Sequence, residues 1–244
     1  ALSEGDRLVS AAPSIAVVVP VLNEEAAIGA LLERLRPHSR DCEIVFVDGG
    51  STDATRDVVA AEFRVIEAPR GRGGQLNAGA RATRADALFF LHADSAPPDD
   101  FPDEIRDALT TGEAGCFGIS FDTPSLLMRI CAALSNFRAY RRRIMFGDQG
   151  MFMTRDLFER MGGFPELPLM EDYAFSLALR AAGVRPGKTR RRIVTSARRF
   201  GSSTTSRLST MYHMARLRRM YREGVPIERI SREYADVREK RADR

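Results

Sequence analysis

The feature that most constrains the fold is a regular alternation of short apolar runs and helix-like segments in the first hundred residues. Residues 15–20 and 87–91 are continuous apolar runs, as is typical of strands buried on both faces of a parallel sheet. Residues 43–47 and 64–68 predict two further strands, and apolar residues at helical spacing occupy residues 28–35. Strands joined by helical crossovers predict an α/β fold with a doubly wound, mostly parallel sheet.

The pattern changes after about residue 115. Strands are predicted at residues 115–121, 150–154 and 191–195, and helices at residues 125–138 and 171–182. The first of these helices is amphipathic, with one side formed by Leu127, Ile130, Cys131, Leu134 and Phe137. From residue 203 the sequence predicts two basic amphipathic helices separated near residues 224–226. We therefore predict one domain over residues 1–202 and a helical extension over residues 203–244.

The net charge of +4 conceals an uneven distribution along the chain. Residues 180–244 contain 19 of the 37 Lys and Arg residues but only 6 of the 33 acidic residues. This tail either faces an anionic partner, such as a phospholipid or a diphosphate, or packs against the acidic body of the chain. Nucleic acid is not expected, because the tail has few aromatic residues and no recognised module. The basic residues 141–143 beside the apolar residues 144–146 indicate either a membrane surface or a solvated loop.

The sequence also bears on the compartment. Its apolar runs are too short to cross a bilayer, and acidic Glu4 and Asp6 precede the first run where a signal peptide would carry basic residues. Cys42, Cys116 and Cys131 lack metal-binding spacing, so we interpret them as small buried side chains in a reducing compartment. These features predict a cytoplasmic protein, and contact at the inner face of the membrane is left open.

Polar side chains follow three of the four strands predicted in the first hundred residues. Asn23 and Glu24 follow the first strand, Asp48 ends the second, and His92 and Asp94 follow the fourth. In an open α/β sheet, ligands bind beyond the carboxyl ends of the strands. Asn23 could instead cap the helix that follows it, whereas Asp48 and Asp94 are followed by loops. The strand ends therefore predict a nucleotide site.

The kind of nucleotide site is narrowed by two missing motifs. The dinucleotide fingerprint G-x-G-x-x-G does not follow the first strand, and the glycines at residues 71–74 follow the third strand instead. The Walker A spacing is also missing. We therefore expect side chains to hold the nucleotide, with a metal ion on a strand-end carboxylate and Arg72 as a second cation for the phosphates.

Several segments together resemble the family 2 glycosyltransferases over roughly residues 14–200. They are VVVPVLNEE, EIVFVDGGSTDAT, RGRGGQLNAGA, FFLHADS and EDYAFSLALRAAG. The segment FGDQGMFMTRDLFERMGGFPELPLMED resembles a bacterial subgroup without transmembrane helices. The resemblance implies a GT-A type fold, Rossmann-like in a nucleotide-binding half at about residues 14–114. An acceptor half would then occupy about residues 115–202.

The resemblance also implies roles for the strand-end residues. Pro20, Asn23 and Glu24 would contact the nucleoside, and Asp48 would bind the base, usually uracil. Asp94 would bind Mn²⁺ or Mg²⁺, which bridges the diphosphate.

The fourth strand departs from the family pattern, because His92 stands where that pattern has an aspartate. We leave open whether His92 binds the metal or only packs. Gln75 and Ala93, which neighbour these motifs, are assigned to donor binding as well.

In the second half, Asp172 matches the family's general base. Its neighbour Glu171 is expected to point away from the site, although both acids could serve only the dipole of their helix. Asp148 and Gln149 are assigned to the acceptor side.

These assignments predict an inverting, hexosyltransferase-like enzyme that moves a sugar from a nucleotide diphosphate, with UDP preferred to GDP, to a hydroxyl acceptor. A lipid-linked acceptor is left open. One carboxylate would take the acceptor's proton, and no nucleophile for a second displacement is evident. The alternatives are a non-catalytic module that binds a nucleotide or a lipid headgroup, and a nucleotidyltransferase on a similar sheet.

Overall fold

The computed structural model describes the backbone of residues 12–242 and the side chains of residues 12–234. The strands are β1 (Ile15–Val21), β2 (Cys42–Asp48), β3 (Arg64–Glu67), β4 (Ala87–Phe90), β5 (Ser95–Ala96), β6 (Ala114–Phe121), β7 (Met151–Thr154) and β8 (Pro186–Thr195). The helices are α1 (Glu25–Leu35), α2 (Thr55–Ala60), α3 (Arg72–Arg81), α4 (Phe101–Leu109), α5 (Leu126–Arg142), α6 (Arg155–Arg160), α7 (Glu171–Ala181), α8 (Thr204–Arg222) and α9 (Ile227–Ala242). Among these helices, none combines the length and apolarity needed to span a bilayer.

The strands form one sheet in the order β3-β2-β1-β4-β7-β6-β8-β5. The first four of these strands are parallel, as their apolar runs predict. β7 runs antiparallel to both β4 and β6, and β8 pairs parallel with β6. The predicted α/β class is thus confirmed, with an all-parallel half followed by a mixed half.

Helices cover both faces of the sheet because its central strands are apolar on both faces. In β1, Ile15, Val17 and Val19 pack on one face, with α1 and α4. Ala16 and Val18 pack on the other face, with α3, α6 and α7. Because β1 is buried on both faces, the apolar run of residues 15–20 is continuous and does not alternate with polar residues.

The amphipathic helix α5 exposes most of its large apolar residues instead of burying them. Met128, Ala132 and Ala139 are buried, whereas three of the large apolar residues are exposed: Ile130, Leu134 and Phe137. Hydrogen bonds to β6 fix this orientation of α5. Asn136 of α5 accepts from the backbone N–H of Ile119 in β6 at 2.7 Å. Asn136 also donates to the carbonyl of Ile119, and the hydroxyl of Tyr140 donates to that of Cys116. The polar and small side of α5 therefore meets the sheet.

The basic extension packs against the body of the protein. Leu217, Met220 and Ile230 form a cluster with Ile144 and Tyr173, and Met170 completes it. The segment at residues 144–146 is thus not a membrane-facing hairpin, since Ile144 and Met145 are buried. The two predicted C-terminal helices are confirmed, with their break between Arg222 and Ile227.

Two glycines of α3 give a stability test of the packing between this helix and the sheet. A Cβ on Gly79 would collide with the side chains of Val18 and Val47, whereas a Cβ on Gly74 would meet open space. We expect Gly79→Ala to lower the free energy of unfolding by about 1–3 kcal/mol through overpacking. Gly74→Ala, the matched control, should leave it unchanged or raise it by up to about 1 kcal/mol. Urea denaturation measures both, and equal effects of the two substitutions would contradict this packing.

Candidate functional site

The candidate site lies beyond the carboxyl ends of β1, β2 and β4, which are neighbours in the sheet. The loop after β1 and the loop after β2 are joined by hydrogen bonds. Asn23 has a φ of 53°, in the left-handed region that asparagine tolerates, and its Oδ1 accepts from the backbone N–H of Thr52 at 2.8 Å. The alternative that Asn23 caps α1 is therefore wrong: the residue before α1 is Glu24, and the backbone N–H of Glu25 donates to Asp53 instead.

Two side chains that were predicted to bind the donor form hydrogen bonds with the protein backbone. Asp48 is only 3% exposed, and its carboxylate accepts from the backbone N–H groups of Gly50 and Ser51. Gln75 is buried and donates from Nε2 to the carbonyls of Val21 and Val47, at 3.1 and 2.8 Å. These contacts fix the shape of the strand ends on which a nucleotide would rest.

Pro20 and Ala93 also belong to the strand ends. Pro20 lies within β1 and is half-buried, opposite Val47 of β2. Ala93 is buried, and its side chain packs in the core cluster on the side of the sheet that α1 and α4 cover. Ala93 thus offers a ligand mainly its backbone.

Arg72 and Glu171 form an ion pair at the centre of the site. Arg72 is the first residue of α3 rather than a loop residue, and its Nη1 lies 3.0 Å from Oε1 of Glu171. The Glu171 side chain is only 3% exposed. The expectation that Glu171 points away is therefore wrong, because α7 begins directly after Met170, whose φ of 66° turns the first residue of the helix inward. Burial raises the pKa of Glu171, Arg72 opposes that rise, and Asp172 adds to it.

Asp172 contacts the short 3₁₀ turn formed by residues 147–149. Its Oδ2 accepts from the backbone N–H of Gly147 at 2.9 Å. A Cβ on Gly147 would collide with Nε2 of His92 and lie 3.4 Å from Oδ2 of Asp172. The end of β4, this turn and the start of α7 therefore meet at one point.

Two buried polar atoms near this point have no hydrogen-bond partner within the described part of the chain: Nε2 of His92 and Oδ1 of Asp148. Burial, reinforced by Arg72 and Arg199, lowers the pKa of His92 well below its usual value, so the imidazole is neutral. Burial also raises the pKa of Asp148. Buried polar atoms normally have partners, so these two atoms are available to water, an ion or a ligand.

Gln149, the other predicted acceptor-side residue, is less accessible. It is fully buried, and its Nε2 lies 3.5 Å from the carbonyl of Phe117 in β6. Its Oε1 has no hydrogen-bond partner among the described residues. Gln149 therefore lies between the site and the sheet.

Arg198 is a site residue that sequence analysis missed. Its Nη2 lies 2.9 Å from Oε2 of Glu24 and 3.6 Å from Oδ2 of Asp94. Arg198 lies beside Asp94 because Thr195, at the end of β8, pairs with Ser95, the residue directly after Asp94. The signal was the Arg-Arg pair just after the last predicted strand, but a two-residue partner strand is too short to recognise in a sequence.

Two side chains at the end of β4, Asp94 and His92, are the candidates for holding a divalent cation. Within the described residues, no three His, Cys, Asp or Glu side chains are arranged to hold a metal ion. Asp94 keeps a partly exposed carboxylate (19%), and carboxylate oxygens are ligands that suit Mg²⁺ and Mn²⁺. The unpartnered Nε2 of neutral His92 is a further candidate ligand. A cation held there would be available to neutralise the charge of a diphosphate.

Two curated bacterial proteins are similar to part of this chain. The succinoglycan biosynthesis protein ExoA of Rhizobium meliloti (strain 1021) is 35% identical over 108 residues, which cover 39% of this chain and 33% of that protein. An undecaprenyl-phosphate 4-deoxy-4-formamido-L-arabinose transferase of Pseudomonas fluorescens (strain Pf0-1) is 30% identical over 108 residues, 38% of this chain and 32% of that protein. The matches span about a third of the length of either relative.

Solved structures show the same fold. Glucosyl-3-phosphoglycerate synthase from Mycobacterium tuberculosis, in complex with Mn²⁺ and uridine-diphosphate-glucose, superposes with a TM-score of 0.56 at 20% identity. The match covers 88% of this chain and 80% of that one. At this identity the likeness establishes the GT-A fold alone. The sequence model of glycosyl transferase family 2 matches residues 16–159. Since that match covers more than half of the chain, the protein belongs to the family 2 glycosyltransferases.

Proposed function

We propose that the protein is an inverting glycosyltransferase that moves a sugar from a nucleotide diphosphate, in the first place UDP, to a hydroxyl acceptor. One observation carries this proposal: Arg198 bridges Glu24 and Asp94 at the strand ends, and Asp172 accepts a hydrogen bond from Gly147 directly beside Nε2 of His92. Carboxylates and arginines from both halves of the chain thus converge on one point beyond the sheet. Such a mixed cluster suits a reaction in which a proton is taken from one group while negative charge develops on another.

On the donor side, the cations Arg72 and Arg198 are placed to receive an anionic leaving group. Arg72 is held by Glu171, and Arg198 bridges Glu24 and Asp94. Guanidinium groups bind phosphate oxygens through charge-assisted hydrogen bonds. A divalent cation on Asp94, Mn²⁺ or Mg²⁺, would supply further stabilisation of the charge on the diphosphate. The Mn²⁺ and uridine-diphosphate-glucose of the mycobacterial structure support this assignment.

On the acceptor side, Asp172 is the base. Unlike Glu171 it has no arginine within salt-bridge distance among the ion pairs of the described residues, and it is only partly buried. The hydrogen bond from Gly147 orients Oδ2, while Oδ1 accepts from the backbone N–H of Tyr173 at 2.7 Å. Oδ2 can accept a second hydrogen bond, from an acceptor hydroxyl. Direct attack by that hydroxyl on the sugar inverts its anomeric centre.

The acceptor half, about residues 115–202, and the extension, residues 203–244, complete the proposed organisation. A lipid-linked acceptor is supported by the undecaprenyl-phosphate transferase among the relatives. We also propose peripheral contact of the basic extension with an anionic membrane. Two of its arginines are already paired, Arg216 with Glu233 and Arg219 with Glu223, so only part of its charge is available.

The roles of the two neighbouring acids can be separated by kinetics. Asp172→Asn keeps the size of the side chain but removes its basicity, so turnover should fall by about 10²–10⁴-fold while affinity for UDP changes little. Glu171→Gln should mainly weaken UDP binding, because Arg72 loses the carboxylate that positions it. Turnover of the UDP-sugar and calorimetric titration with UDP measure the two effects. Full transfer activity in Asp172→Asn would remove Asp172 as the base.

The metal assignment predicts a specific loss of binding. Asp94→Ala should abolish the part of UDP affinity that depends on Mn²⁺, because a carboxylate and a diphosphate repel each other unless a cation lies between them. Titrations with UDP in the presence of Mn²⁺ or of a chelator measure this part. The exposed Asp41 provides the control, and Asp41→Ala should behave as the wild type does. Mn²⁺-dependent binding that survives in Asp94→Ala would exclude Asp94 as the metal ligand.

A further inference from the structure

Helix α5 carries a row of exposed apolar side chains on its outer side. Leu126, Ile130, Leu134 and Phe137 have relative exposures of 68%, 47%, 58% and 52%. Their spacing of four, four and three residues places them on one side of the helix. We call these four residues the α5 stripe. It extends about 16 Å along the helix axis, at about 1.5 Å per residue.

The exposure of the α5 stripe is built into the fold. The opposite side of α5 is fixed to β6 by Asn136 and Tyr140, so the helix cannot rotate to bury the stripe without breaking these hydrogen bonds. Isolated exposed apolar residues are ordinary, but a continuous row indicates a binding surface.

The charges around the α5 stripe indicate what binds there. Helix α5 contains four arginines and no acidic residue. Arg129 is exposed near the start of the stripe, and Arg141 and Arg142 are exposed at its end. The guanidinium of Arg142 lies 5.9 Å from the centre of the Phe137 ring. Apolar side chains flanked by arginines are the composition of helices that lie in the headgroup region of an anionic bilayer.

We propose that the α5 stripe docks the protein on an anionic phospholipid bilayer, with its apolar side chains in the interface and its arginines at the headgroups. Helix α8 has the same composition, with no acidic residue and with Leu208 and Tyr212 exposed one turn apart. The proposal concerns a surface outside the site and does not rest on the proposed activity.

Helix α5 also borders the candidate site. Arg138, on the same helix, lies over the Phe146 ring at 4.1 Å, directly before the turn at residues 147–149. The helix that carries the stripe thus contacts the segment directly before the turn that binds Asp172.

The chain contains no tryptophan, so a single introduced indole reports on its own surroundings. In Phe137→Trp, addition of vesicles made from equal parts of phosphatidylglycerol and phosphatidylcholine should shift the emission to the blue. Vesicles of phosphatidylcholine alone should leave it nearly unchanged. Val58→Trp, on an exposed apolar position of α2, is the matched control and should not respond to either vesicle.

Co-sedimentation with the same anionic vesicles measures the strength of docking. Leu134→Ser should lower the partition coefficient about tenfold, because an apolar side chain no longer leaves water. Arg141→Gln and Arg142→Gln should each lower it about fivefold. These positions are exposed, so the variants should keep the melting temperature of the wild type.

Three results would overturn the proposal. The first is an emission of Phe137→Trp that does not respond to anionic vesicles. The second is an equal response to neutral vesicles, which would exclude an anionic surface as the partner. The third is a blue shift that grows with protein concentration without vesicles and is lost in Leu134→Ser, which would assign the α5 stripe to contact between two copies of the chain.

Discussion

The ion pair between Arg72 and Glu171 is the contact on which the geometry of the site depends. Its partners are 99 positions apart in sequence and are the first residues of α3 and α7. The pair therefore joins the half of the chain that would bind the nucleotide to the half that would bind the acceptor. Gly73 allows this approach, because a Cβ there would lie 2.5 Å from the carbonyl oxygen of Pro165. Glu171 is buried, and a buried carboxylate that lost Arg72 would have a large desolvation penalty.

The other charged groups of the site form a second set of ion pairs, whose contacts a bound substrate would change. Arg198 is shared between Glu24 and Asp94. A diphosphate would add negative charge beside these carboxylates, so an added cation or a rearrangement of Arg198 must accompany its binding. The neutral His92 and the unpartnered Oδ1 of Asp148 leave hydrogen-bonding capacity directly beside this cluster. The site thus has charged groups and unpartnered polar atoms that are available to a bound ligand.

Much of this arrangement can be predicted from the sequence, because parallel strands impose local patterns. Continuous apolar runs mark the strands, and the residues that end them must gather at one edge of the sheet. Two kinds of information were missed. Arg198 reaches Asp94 through the pairing of β5 with β8, a contact between residues a hundred positions apart with a two-residue strand on one side. The orientation of α5 was missed because periodicity shows which residues share a side, whereas the hydrogen bonds of Asn136 decide which side is buried.

The central claim, that these charges form the binding site of a nucleotide-sugar donor, is tested most directly by the melting temperature of the wild-type protein. A ligand that binds only the folded state raises this temperature by mass action. The account predicts that UDP together with Mn²⁺ raises it, that UDP with a chelator raises it much less, and that UMP, which lacks the diphosphate, has little effect. A melting temperature that none of the common nucleoside diphosphates changes, with or without Mn²⁺, would contradict the claim.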